Sequence, residues 1–181
     1  MAAERLVATY LPYAQQEIPI VGLEPSCLLA LKDEVPSLLK SKDAKLVSDN
    51  VLTFGELLSK DKKNLSLKPL KAKALLHGHC HQKAFNVLKP VENVLKMIEG
   101  LEVKTIETSC CGMAGAFGYA KDTYKISKEM AEKDLLPQIR QAEENTILIA
   151  DGTSCRSQIV DLANKNAVHL ARLLDKQLTE N

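Results

Sequence analysis

Apolar residues fall along this chain in two rhythms. Four short runs, residues 18–23, 73–77, 103–107 and 146–150, are dense in Ile, Val and Leu, as strands buried on both faces require. Between them the apolar positions recur every three or four residues. Leu28, Leu31, Val35, Leu38 and Leu39 form such a stripe and predict a helix over 28–39. The same spacing predicts helices over 50–60, 82–99 and 121–144, with Pro137 kinking or breaking the last. Further helices are expected over 2–16, 151–164 and 168–178. Strands alternating with helices imply an α/β fold, a mostly parallel sheet of about four strands with right-handed helical crossovers. The polar stretch 61–71, closed by Pro69, reads as a connection inside one domain, and no Gly/Ser-rich linker divides the chain. Residues 1–181 are therefore expected to form a single domain.

Cysteines follow the strands. Cys27 lies just beyond the first run, Cys80 beyond the second, Cys110 and Cys111 beyond the third, and Cys155 beyond the fourth. If the strands are parallel, all four loops open at the carboxyl edge of the sheet, where open α/β sheets bind ligands. The first and last units also resemble one another. Each runs from apolar strand to acidic residue, turn former, Ser and Cys, at Glu24–Cys27 and Asp151–Cys155, which hints at an internal duplication.

Composition narrows the chemistry. Lys plus Arg number 24 against 23 Asp plus Glu, a net charge of +1, so no basic surface argues for nucleic acid. Aromatics make up 4% with no Trp, too few for a base-stacking platform. Apolar runs such as 147–150 are too short to cross a bilayer, and the start of the chain meets Glu4 before any hydrophobic leader could form. Five cysteines in such a chain point to the reducing cytoplasm, where cysteine clusters are metal ligands or redox groups more often than structural disulfides.

Thiolates bind metals when something stabilises the anion. Cys27 and Cys155 sit where helices should begin, next to free backbone N–H groups and the positive end of the helix dipole. Gly112, Gly115 and Gly118 would let the loop after the double cysteine wrap a metal centre closely. Soft sulfur donors suit iron–sulfur clusters and zinc alike. A lone buried cysteine can also be a small apolar residue, and that reading competes most strongly at Cys27. His77, His79 and His81 alternate and read as solvent- or hydrogen-bonded loop residues, with His79 and His81 the candidates for supporting the metal ligands. The absence of any Cys-x-x-Cys weakens both a zinc-stabilised module and a metal-free thiol redox enzyme.

The segments running from His77 to Ala84, from Ser109 to Tyr119 and from Asp151 to Cys155 resemble the CCG, or cysteine-rich, domain family, found in heterodisulfide reductase and in iron–sulfur subunits of flavin-linked dehydrogenases. The resemblance is strongest to the C-terminal iron–sulfur portion of FAD-linked 2-hydroxyacid dehydrogenases and covers residues 21–169. It implies an iron–sulfur cluster, of 4Fe–4S type, held by Cys80, Cys110, Cys111 and Cys155, with Cys27 a further ligand. The family pattern closes with Cys-x-x-Cys, and here Gly152 stands in place of the first of that pair, while Glu24 stands at the matching place before Cys27. The implied role is electron transfer, from an FAD-binding domain or subunit that oxidises a 2-hydroxyacid to a quinone or carrier. The chain would then be a C-terminal fragment of a longer oxidoreductase, not catalytic alone, and cytoplasmic or held at a membrane only through partners.

Overall fold

The structure is a computed structural model that describes residues 2–61 and 65–179; three residues of the predicted 61–71 connection, 62–64, lie outside the described residues. Its centre is a four-stranded, all-parallel sheet of β3 (Ala72–His77), β4 (Leu101–Thr105), β5 (Ile147–Ala150) and β6 (Ala167–Val168), in the order β4-β3-β5-β6. The fold is α/β, as the alternation predicts. β3 pairs with β4 through Leu76 and Thr105, and with β5 through His77 and Ala150. From β3 the chain crosses outward to β4, then returns to the other side of β3 to lay down β5. That reversal opens a crevice at the carboxyl ends of β3 and β5, the topological switch point where such sheets bind ligands.

Strand alternation sends neighbouring residues to opposite faces. Ala74, Leu76 and Ile149 pack with Val91, Val94 and Leu95 of α7 (Leu88–Leu95) and with Leu170, Leu173 and Leu174 of α11 (Leu170–Gln177). Leu75, Leu148 and Ala150 face the other way, onto Leu135 and Ile139 of α9 (Leu135–Gln141) and Ile159 of α10 (Thr153–Ala163). Cys111 and Cys155 belong to this second core, so two of the thiols are walled by apolar side chains. Each fully buried Leu or Ile contributes about 1.5–3 kcal/mol by leaving water.

The remaining elements form a smaller unit with its own core. α1 (Ala2–Ala14), α2 (Pro25–Lys32), α3 (Glu34–Leu39) and α4 (Lys42–Asp49) surround a separate parallel pair, β1 (Ile20–Gly22) and β2 (Val51–Thr53), and α5 (Phe54–Lys60) then leads back to pack Phe54 and Leu58 on the main core. Val7, Ile20, Leu28, Val35, Val47 and Val51 are buried together there. The first apolar run thus does not join the main sheet. Its partner is β2, three residues at the head of a segment predicted as wholly helical. Thr53 ends that strand by capping α5, with Glu56 closing a capping box. The fourth place in the main sheet goes to β6, at the junction between the helices expected over 151–164 and 168–178.

Three predicted long helices are each split in two, and all three splits have one cause. α2 and α3 part at Asp33, α8 (Tyr124–Lys133) and α9 at Asp134, and α6 (Cys80–Ala84) and α7 around Asn86, whose φ is 56°. In each case a proline, Pro36, Pro137 or Pro90, is the third residue of the second helix. There its missing N–H costs nothing, because first-turn donors have no intrahelical partner. Among the described residues no helix is long and apolar enough to cross a membrane.

Glu24 ties the two units together. One carboxylate oxygen accepts from the Thr153 N–H at 2.8 Å, at the start of α10, and the other accepts from the Ser26 hydroxyl at 2.8 Å, at the start of α2. His169 adds a second tie, its Nε2 lying 2.8 Å from the Leu23 carbonyl. Burial raises the Glu24 pKa, but the hydrogen bonds from Thr153 and Ser26 together outweigh it and hold the carboxyl below its ordinary value of 4.5. A carboxyl lowered in the folded state stabilises fully above its unfolded value and loses that contribution as pH falls through the folded one. Thermal unfolding at about pH 7 and about pH 4 should therefore show a larger loss of stability in wild type than in Glu24→Gln, which carries no titrating group. Equal losses would mean that the tie is neutral to folding.

Candidate metal centre

Three loops meet at the crevice. The first leaves β3 at His77 and turns into α6 at Cys80. His79 caps this turn: its Nδ1 accepts from the His81 N–H at 3.2 Å, and its own N–H donates to the Gln82 side chain at 3.0 Å. Gln82 in turn donates to Asp151 at 2.8 Å, and Asp151 accepts from the Leu170 N–H at 3.0 Å. The three links through Gln82 and Asp151 are buried, so the loops after β3 and β5 are held by one satisfied polar network.

The second loop follows β4 and carries Cys110 and Cys111. Lys83 reaches over from α6 and donates to the carbonyls of Thr108 at 2.6 Å and Ser109 at 2.8 Å. Gln158 of α10 donates to the Cys111 carbonyl at 3.0 Å and to the Ser127 hydroxyl at 2.9 Å, fixing the other end. Gly112 sits between these anchors with φ of 86°, and its N–H donates to the Cys110 sulfur at 3.3 Å. The third loop follows β5 and delivers Cys155 in the first turn of α10.

All five cysteines are free thiols. Four of them form a row, Cys80 beside Cys110, Cys110 beside Cys111, and Cys111 beside Cys155. The row runs from half-exposed sulfurs at Cys80 and Cys110 to buried ones at Cys111 and Cys155. Protons are shared along it unevenly. Hydrogen bonds from the Cys111 and Cys80 thiols pull Cys110 to about 2, helped by the Gly112 N–H and the Lys83 charge. Cys155 is pulled to about 5 by the Cys111 thiol and by His77. Their hydrogen-bond donors Cys80 and Cys111 are pushed up correspondingly. Protons are therefore held more tightly at Cys80 and Cys111 than at Cys110 and Cys155, and a bound metal would displace those that remain.

His77 stands at the buried end of the row, 2% exposed. One of its ring nitrogens and the sulfurs of Cys111 and Cys155 all lie within 4.8 Å of one another. His79 is also buried; desolvation lowers its pKa against the pull of Cys155 and Glu24. His81 is half-buried, its ring edge-on to His79 with centroids 5.3 Å apart. Cys27 is exposed on α2 and lines a shallow cleft with Leu6, Tyr10 and Leu31. Gln158 belongs to no motif that singles it out, Lys83 sits in the His77–Ala84 motif with nothing there to mark its role, and the alternation of histidines disguised His77 as an exposed loop residue. For His77 a signal existed, since a residue ending a central parallel strand is covered on both faces whatever its polarity.

Gly152 has a specific reason to lack a side chain. A Cβ there would collide with Cδ2 of His79 and lie 3.1 Å from the Cys155 sulfur. The imidazole of His79 therefore fills the space that a cysteine at 152 would need. Gly152→Cys alone is expected to destabilise the protein by about 1–3 kcal/mol, the usual cost of overpacking a filled site. His79→Ala combined with Gly152→Cys should recover part of that loss in thermal unfolding, whereas additive losses would show that the two positions do not compete.

These features define an α/β protein in which three loops deliver four thiols to one switch point. Residues 74–160 match the cysteine-rich CCG domain. It is 30% identical over 166 residues to a subunit of the anaerobic glycerol-3-phosphate dehydrogenase from Escherichia coli K12, a match covering 89% of this chain and 41% of that protein. It is 29% identical over 158 residues to D-2-hydroxyglutarate dehydrogenase from Haemophilus influenzae, covering 81% of this chain and 15% of that enzyme. The corresponding enzyme of Escherichia coli K12 is 24% identical over 163 residues, covering 89% and 16%. These relatives are oxidoreductases or their subunits, and the chain spans less than half the length of each. No solved structure matches it.

Proposed function

We propose that this chain is the iron–sulfur electron-transfer part of a dehydrogenase whose FAD lies on another domain or subunit and whose substrate is a 2-hydroxyacid. One observation carries this reading: four thiols from three loops converge in a single row. Cys80, Cys110, Cys111 and Cys155 would hold the cluster, and Cys27 would contribute from α2, which packs against α6. A bound cluster supplies one-electron redox capacity at a potential set by charge, hydrogen bonds and burial.

The chain's own residues set those conditions. Ile106, Met113 and Leu148 surround the buried sulfurs and exclude water. The Lys83 ammonium, half-buried beside the row, offsets the negative charge of the thiolates. Cys80 and Cys110, at the half-exposed end, mark where electrons would enter or leave. The dehydrogenase relatives support a redox context, and the donor and acceptor would be a reduced flavoprotein and a quinone or carrier.

A zinc-stabilised module is the competing reading, favoured by the compact His77, Cys111 and Cys155 group, whose spacing also suits a single ion. Iron, acid-labile sulfide and zinc measured on anaerobically reconstituted protein decide between them. About four irons and four sulfides per chain, with an EPR signal after reduction, are expected for the cluster. One zinc in a colourless protein, with no iron after reconstitution, would replace the electron-transfer reading with the structural one.

A further inference from the structure

Among the described residues, two buried side-chain nitrogens have no hydrogen-bond partner, Nε2 of His77 and Nδ1 of His81. An imidazole nitrogen hidden from water and left unmade costs about 1–3 kcal/mol, so such an atom calls for a partner. Only His77 belongs to the compact group with the Cys111 and Cys155 sulfurs. Its other nitrogen is accounted for: Nδ1 lies 3.3 Å from the Thr108 hydroxyl. That hydroxyl oxygen also accepts from Lys83 at 3.3 Å, and its remaining lone pair is free to accept from an Nδ1–H. With its proton on Nδ1 the ring leaves Nε2 an open lone pair, the arrangement in which ligating histidines are held by a donor bond from the far nitrogen; the other tautomer would instead donate to the Cys155 sulfur, a hydrogen bond that a metal would replace. The tautomer is assigned here from the hydrogen bonds.

His79, also buried and close to Cys155, is wired the opposite way. Its Nδ1 accepts from the His81 N–H, so the neutral ring carries its proton on Nε2, toward the sulfur side of Gly152. His79 is placed to donate a hydrogen bond; His77 is placed to donate a lone pair.

We propose that His77 is a ligand of the metal centre through Nε2, completing with Cys111 and Cys155 a mixed nitrogen and sulfur coordination at the buried end of the thiol row. The proposal rests on the iron–sulfur reading above. A neutral imidazole in place of a thiolate removes one negative charge from a cluster and raises its potential. The buried, more positive end of the row would then be where the electron resides, and the half-exposed sulfurs the path to it.

Pulsed EPR on the reduced, anaerobically reconstituted chain tests this. Wild type is expected to show a nitrogen coupled strongly enough to be directly bound, whose signature changes when the protein is grown with 15N-histidine. His77→Cys should retain iron and sulfide, lose the coupled nitrogen and move to a more negative midpoint potential. His79→Asn should keep the nitrogen signal. A wild-type cluster without a strongly coupled nitrogen, or a signal that persists in His77→Cys, overturns the ligand. Wild type without iron and sulfide overturns the cluster reading and the ligand with it. The isotope experiment needs only wild type, so it stands even if His77→Cys fails to fold.

Discussion

Cys111→Ser is expected to lose most bound iron and sulfide, while Lys96→Ser, exposed at the end of α7 away from the thiol row, retains both. Cys111 is the pivot of the row: it adjoins Cys110 on one side and Cys155 on the other, and only it and Cys155 share the compact group with His77. A serine hydroxyl is far less acidic than a thiol and is a hard donor where the centre needs a soft one. Even hydrogen-bond partners of ligands cost about 10–100-fold in metal affinity when removed, so loss of a ligand should cost at least that. Iron and sulfide per chain after identical anaerobic reconstitution is the measurement. The fold itself should survive, because the exchange is nearly isosteric and Cys111 is held by its backbone through Gln158. Equal iron in both variants would remove Cys111 from the proposed ligand set and leave the row as packed thiols.

How much of this centre could be read from the sequence depends on how local each cause is. The rule that each cysteine follows an apolar run is local, and it places Cys80, Cys110, Cys111 and Cys155 at one edge once the strands are parallel. The strand order β4-β3-β5-β6, which puts the crevice between the loops of His77 and Asp151, is a tertiary outcome that periodicity does not encode. The same limit accounts for the first run. Residues 20–22 are strand-like wherever they pair, and their pairing with 51–53 depends on a unit packing around them. Short strands such as β6 carry too few residues to show any period, and Leu170, Leu173 and Leu174 beside it dominate the local pattern. Pro36 and Pro90 held a legible signal that the apolar stripes concealed, since a helical period continues across a break when both halves pack on one core. His77 was hidden differently. Alternating histidines look like an exposed loop, yet the first of them still belongs to β3 and is buried by its neighbours β4 and β5.

Gly112→Ala is expected to be among the most damaging single substitutions outside the thiols, and Gly115→Ala provides its internal comparison. Both glycines have positive φ, 86° and 64°, so an alanine at either meets the left-handed penalty of about 1–2 kcal/mol. Their surroundings differ. A Cβ at 115 meets nothing within 4 Å, whereas a Cβ at 112 collides with the Ser127 carbonyl and lies 3.2 Å from Cβ of Met130. Ser127 cannot readily yield, because its carbonyl and hydroxyl both accept from Gln158, which also holds the Cys111 carbonyl. Displacing Ser127 therefore disturbs the anchor of Cys111 itself. Adding about 1–3 kcal/mol for overpacking gives a total near 2–5 kcal/mol for Gly112→Ala, against about 1–2 for Gly115→Ala. For a chain of this size that corresponds to a fall in Tm of roughly 6–12 °C at 112 for a mid-range 3 kcal/mol, and about half of that at 115. The two variants also separate in metal binding. Gly112→Ala should lower iron content, because it moves the N–H that donates to the Cys110 sulfur, while Gly115→Ala should leave iron content near wild type. Matching Tm values for the two variants would show that backbone conformation alone, and not the close approach to α8, requires glycine at 112.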